Sequence, residues 1–190
     1  MKLVFLRHGE SEYNLSGLCN ADPAVPVALT PAGRLQAQAA AERLRDLPIR
    51  RVYVSRLRRA QETAAIVNAC HYAEIHVDAR LDDRNTGFEG RPVTQYLNAM
   101  HGAPDPFAWK APGGESYREM VARVHGFLAD LREVDEPAVL VVTHHEVLQA
   151  VAGHFQNLDL ARMWLVWVDN CETLEFVGGM NHAAMRPLSF

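Results

Sequence analysis

The chain has 190 residues, 48% of them hydrophobic and 22% charged, with a formal net charge of -4. That is the size and composition of one globular domain, and it excludes a disordered or fibrous chain. The acidic balance argues against a nucleic-acid surface but not against an anionic ligand, because two or three arginines in one cleft set the local potential whatever the total charge. Three cysteines, Cys19, Cys70 and Cys171, are widely spaced with no C-x-x-C pair, which fits a reduced, cytoplasmic setting. The amino terminus opens directly into an apolar strand, so neither a signal peptide nor a membrane span is expected.

In chain order, short apolar runs predict strands at Lys2 to Leu6, Arg51 to Val54, Glu74 to Val77 and Ala138 to Val142, with helical periodicity between most of them. Thr30-Pro31 predicts a helix start, with threonine as cap and proline in the first turn, and Pro48 stops that helix after about Leu47. A second helix carries Arg59, Ala60, Thr63, Ala64 and Val67. The segment from Arg84 to Pro112 reads as a long loop, with Phe88, Tyr96, Phe107 and Trp109 packed on the body or walling a ligand site. Tyr117, Met120, Val121, Val124, Phe127, Leu128 and Leu131 fall on one face of a third helix. That stripe reads as core, since it has neither glycine nor a metal-ligand set. Another helix begins near His144, and Met163 to Asp169 and Thr173 to Val177 look like two strands joined around Asn170-Cys171. The tail from Gly178 to Phe190 carries no pattern. Alternating strands and helices predict an α/β fold, a mostly parallel sheet with helices on both faces, in a single domain over residues 1–190.

Chemistry concentrates where strands end. Arg7-His8-Gly9 closes the first strand, placing an imidazole beside a permanent cation with a glycine to turn the backbone beneath the ring. Asn14 adds a neutral donor on the following loop. Guanidinium groups suit the three equatorial oxygens of a transferring phosphoryl group, so Arg7 and Arg59 are the expected phosphate clamps. A neutral His8 nitrogen can attack phosphorus in line and form a phosphohistidine, provided the other ring nitrogen keeps its proton by donating to a carbonyl at the Gly9 turn. His144 ends the fourth strand, at the start of a helix where anions bind, and it is expected to hydrogen-bond the phosphoryl group in protonated form. His145 is wall or support. A metal site at His144, His145 and Glu146 is poorly spaced, and no metal or organic cofactor is expected. Asp83 is the candidate general acid, with Asp82 and then Glu89 behind it.

Taken together, Arg7-His8-Gly9, Ser55-x-Leu57-x-Arg59-Ala60, Leu81-Asp82-Asp83, Pro112 to Ser116 and Thr143-His144 resemble the histidine phosphatase superfamily, the phosphoglycerate-mutase-like proteins. The resemblance runs from Lys2 to about Phe176 and implies a three-layer fold. Four places depart from the family pattern. Tyr13 stands where tryptophan is common, Asp83 where the acid is usually glutamate, His145 where glycine usually follows the second histidine, and Gly87 to Gly90 is one residue short. The implied function is hydrolysis of a small phosphorylated metabolite through a phosphohistidine at His8. A cofactor-dependent phosphoglycerate mutase is the alternative within enzymes, and an inactive phospholigand-binding module is the alternative outside them. No nucleic-acid or membrane partner is expected, and oligomeric state and the identity of the substrate are beyond the sequence.

Overall fold

The computed structural model describes residues 1–177 together with a two-residue strand, Ala184–Met185. The expected irregular tail from Gly178 to Phe190 otherwise lies outside the described residues. The strands are β1 (Lys2–Arg7), β2 (Ile49–Val54), β3 (Glu74–Val77), β4 (Ala138–Thr143), β5 (Thr173–Val177) and β6 (Ala184–Met185). They form one sheet in the order β3-β2-β4-β1-β5-β6. The first four run parallel, and β5 and β6 join antiparallel beyond β1. The mostly parallel sheet expected from the sequence is therefore present.

Strand β4 is buried along its whole length because both of its faces are covered. Val139 and Val141 point into a core made with α5 (Tyr117–Leu131) and α6 (His145–Gln156). Leu140 and Val142 point into a second core, made with α2 (Pro31–Leu44) and α3 (Arg58–Asn68). The seven-residue apolar stripe of α5 is buried throughout, as its spacing predicts. The Thr30 side chain caps α2 by accepting from Gly33 N, with Pro31 in the first turn, and the helix ends at Leu44, short of Pro48.

Two expectations are corrected. Arg84 to Pro112 is not all loop, because Val93–His101 forms a helix, α4, that buries Tyr96 and Met100. Val93, Tyr96, Leu97 and Met100 follow helical spacing over little more than two turns. Met163 to Asp169 is not a strand. A short helix, α7 (Leu160–Trp164), starts where the Asp159 side chain accepts from Arg162 N. The following carbonyls are taken by side chains instead of a strand ladder. Gln149 Nε2 donates to Trp164 O and Val166 O, at 3.0 and 3.1 Å, and Arg7 Nη1 donates to Val168 O at 2.8 Å. Thr173–Val177 is a strand, as expected.

Candidate active site

Parallel pairing of β1 with β4 puts Arg7 opposite Thr143, so the next residue on each strand, His8 and His144, emerges at the same edge of the sheet. Their ring centroids are 5.0 Å apart. The neighbouring strand β2 delivers Ser55 and then Arg59 in the first turn of α3, and the chain after β3 delivers Asp82 and Asp83. Ligands of open α/β sheets bind beyond these carboxyl ends, which is why residues far apart in sequence share one cleft.

His8 is buried, and its tautomer is fixed from both sides. Its Nδ1 donates to Gly9 O at 2.7 Å, as the Gly9 turn predicts, and its Nε2 accepts from Arg59 Nε at 3.0 Å. Burial first, then the Arg59 and Arg7 charges, holds the His8 pKa well below the ordinary imidazole value, so the ring is neutral near pH 7. Its backbone is clamped too. His8 O accepts from Asn170 Nδ2 at 2.9 Å, and Gly9 N donates to Thr63 Oγ1 at 3.0 Å.

Arg59 is buried and spreads its fork over three partners. Besides His8, it donates to Asn20 Oδ1 and O at 2.5 and 3.0 Å, and to Asp83 Oδ2 at 3.0 Å. Arg7 keeps one Nη on Val168 O, while its buried Nε has no partner. Asn14 sits on the exposed first helix, α1 (Glu12–Ser16), where its Oδ1 accepts from Ser11 N, leaving the amide nitrogen for the cleft it lines.

The His144 side chain makes one hydrogen bond, from Nε2 to Ser55 Oγ at 2.8 Å. The Ser55 hydroxyl is itself committed to Asp82 Oδ1 at 2.9 Å, so it can only accept from the ring. That places the His144 proton on Nε2 and leaves the buried Nδ1, which has no partner, 3.7 Å from Asp83 Oδ2. Among the protein's own charges His144 is neutral, because burial, then Arg59 and His8, lowers its pKa well below the usual value. The expected protonated His144 thus requires an added negative charge beside it, which a phosphoryl dianion supplies.

The three acid candidates separate by their commitments. Asp82 is used up by Ser55, Arg56 N and Arg56 Nε. Glu89 accepts from Asn20 Nδ2, Ala21 N and Asp22 N, closing the loop that holds Arg59. Asp83 alone of the three reaches Arg59 and His144. Burial raises its pKa, the Arg59 charge lowers it, and the nearby Glu146 raises it, for a net upward shift. Yet its side chain remains 30% exposed at the cleft.

Arg7, Asn14, Arg59, Asp83 and His145 line one cavity of about 360 Å³, so His145 is indeed wall. Thr86, Val93, Tyr96 and Leu97 of the Arg84 to Pro112 segment line it as well. Phe88, Tyr96 and Trp109 also pack with Cys19 and Met100, so the segment both walls the cleft and fastens to the body. Sequence reasoning missed Asn20, Ser55, Thr63 and Asn170, all of which hold the reacting groups from behind. Ser55 and Thr63 had a signal, as letters of the motif that runs from Ser55 to Ala64, whereas Asn20 and Asn170 had none.

A neutral, oriented imidazole set among guanidinium groups at the carboxyl edge of a parallel sheet defines a phosphoryl-transfer enzyme. The family model of the histidine phosphatase superfamily (branch 1) matches residues 3–186, and the chain belongs to that family. It is 30% identical over 99% of its length, and 85% of the relative's, to a glucosyl-3-phosphoglycerate phosphatase of Mycobacterium tuberculosis. It is 35% identical over 68% of its length to a fructose-2,6-bisphosphatase of Danio rerio, of which it spans about half (52%). An α-ribazole phosphatase structure from Shigella flexneri superposes with a TM-score of 0.85 at 27% identity, covering 98% of this chain and 95% of that one. The chain is a phosphoric monoester hydrolase of the phosphoglycerate-mutase-like type.

Proposed function

We propose that the chain, acting as one domain with one site, hydrolyses a small phosphate monoester through a phosphohistidine at His8, with Asp83 moving the protons. The observation that carries this reading is the fixed His8 tautomer, with the proton held on Nδ1 by Gly9 O and the Nε2 lone pair turned toward Arg59. An incoming phosphate offers Arg59 better acceptors than an imidazole nitrogen, so binding draws the guanidinium onto the phosphoryl oxygens and frees Nε2.

In the first step the Nε2 lone pair forms a bond to phosphorus as the ester P–O bond breaks, and the departing oxygen takes the Asp83 proton. The upward shift of the Asp83 pKa favours that protonated start. In the second step water attacks phosphorus, the Asp83 carboxylate takes its proton, and the P–N bond breaks, returning the lone pair to Nε2. Arg7, Arg59 and Asn14 hold the equatorial oxygens, whose charge spreads in the transition state. His144 Nδ1, once protonated, donates to the same group.

No described helix is long and apolar enough to cross a membrane. The three cysteines are free, in keeping with a reducing cytoplasm. Initial rates of phosphate release across a panel of monoesters, including p-nitrophenyl phosphate, test the reading. Turnover is expected, and its absence from every ester would contradict it.

A further inference from the structure

The catalytic cluster reads only the phosphate, so the rest of the substrate is selected by the cavity beyond it. Three basic side chains with permanent charge line that cavity, Arg7, Arg59 and Arg84. The first two form the phosphate clamp. Arg84 has a side chain only 1% exposed, and Glu146 neutralises it, with Nε and Nη2 donating to the two carboxylate oxygens at 2.5 and 3.0 Å. Tyr96 adds a hydroxyl to the same carboxylate at 3.1 Å. A buried, bidentate pair of this kind does not open readily, because either partner left alone would be an uncompensated charge.

His145 adds no cation near pH 7. Its Nδ1 lies 3.2 Å from Val168 O, its ring packs on Trp167, and burial, reinforced by the Arg7 charge, keeps its pKa below the ordinary value. Among the described residues, then, nothing lining the cavity offers a second anion a free positive charge. Glu146, its side chain 16% exposed, faces one with the opposite sign. The remaining wall is uncharged, with neutral polar side chains such as Ser11, Asn20, Thr86 and Gln149 beside an apolar and aromatic part formed by Tyr13, Leu18, Val93, Leu97, Trp164 and Trp167. Trp167 is 67% exposed although its ring packs on His145 and its Nε1 donates to Asp169 Oδ1 at 2.8 Å, so a positioned indole face is left open at the cavity for a ligand ring to stack on.

We infer that the substrate is a monophosphate whose alcohol is uncharged and presents a ring or apolar face to the Tyr13–Trp164–Trp167 wall, and that carboxylated and bisphosphorylated esters are rejected. The inference rests on the phosphatase reading of this site. Its basis is a difference of affinities, since an extra carboxylate would be desolvated with no cation to meet it.

The test compares kcat/KM for 2-phenylethyl phosphate and 3-phosphoglycerate, two alkyl esters with similarly poor leaving groups. The aromatic ester is expected to be favoured by at least about tenfold, the scale of one unmet polar group. Glu146→Gln uncovers Arg84 and should move the ratio about tenfold toward 3-phosphoglycerate, whereas Trp167→Ala, at an exposed position, should lower it by weakening the aromatic ester. A ratio within one preparation does not depend on how much of the variant is folded. Equal rates on both esters, a preference for 3-phosphoglycerate, or a ratio unmoved by Glu146→Gln would each overturn the inference while leaving the phosphatase reading standing. Absence of turnover on either ester and on p-nitrophenyl phosphate would instead overturn both.

Discussion

Arg59 illustrates how much one side chain is asked to do. It orients His8, closes on Asn20 and answers the charge of Asp83, and in the proposed reaction it moves onto the phosphoryl oxygens. Arg59→Ala should lower kcat by about a hundredfold or more, the scale of losing one electrostatic donor to the transition state. A change confined to KM in steady-state assays would limit Arg59 to binding. Asp83 is shorter by one methylene than the glutamate usual in the family, and it lies in contact with Arg59 and 3.7 Å from His144. Asp83→Asn should damage alkyl phosphates far more than p-nitrophenyl phosphate, whose leaving group scarcely needs a proton. Equal, small losses on both would remove Asp83 from proton transfer. At this scale the sequence was most legible for the groups proposed to act and least for the groups that hold them. Arg7, His8, Arg59 and His144 are marked by motifs at strand ends. Asn20 and Asn170 are single amides in loops, and no spacing ties them to Arg59 or to the His8 carbonyl.

Elements rather than residues set the distances within the site. The loop after β1 lies against the first turn of α2 so closely that neither Gly9 nor Gly33 has room for a side chain. A methyl group on Gly9 would meet the Gly33 carbonyl, and one on Gly33 would meet the Glu10 carbonyl. Because both obstacles are backbone, something must shift. Gly33→Ala should cost about 1–3 kcal/mol, the range for overpacking a filled space, and should also reduce kcat by displacing His8. Urea denaturation and steady-state assays of the same preparation check this, and a variant unchanged in both would show the contact to be slack. Helix boundaries were readable where a cap and a proline mark them together, as at Thr30-Pro31, while the Ser116 cap, whose hydroxyl accepts from Glu119 N, emerges only in the structure. The segment after α7 was misread because Val166 and Val168 alternate with polar or exposed neighbours as a strand would. Their carbonyls belong instead to Gln149 and Arg7, long-range partners that local pattern cannot reveal.

At the scale of the whole molecule, six imidazoles among the described residues, those of His8, His71, His125, His144, His145 and His154, are shifted below the ordinary value, in each case chiefly by burial. The unfolded chain therefore binds more protons than the folded one as pH falls through the ordinary histidine range, and stability declines in the same direction. The contribution is fully present above about pH 6.5 and is lost progressively below it. Urea midpoints should fall between pH 7 and pH 5, and a flat profile over that window would mean the rings are not neutral when folded. The general architecture was legible because β1 and β4 are continuous apolar runs that only a sheet covered on both faces can bury. The inferred substrate choice was not, because it rests on Arg84 and Glu146, 62 positions apart, meeting as a buried pair. The claim on which the site's chemistry turns is the covalent one. Rapid quench of the wild-type enzyme during turnover of a phosphorus-labelled monoester should trap acid-labile, base-stable label on the protein, absent from His8→Ala, and turnover without a burst or any such label would contradict it.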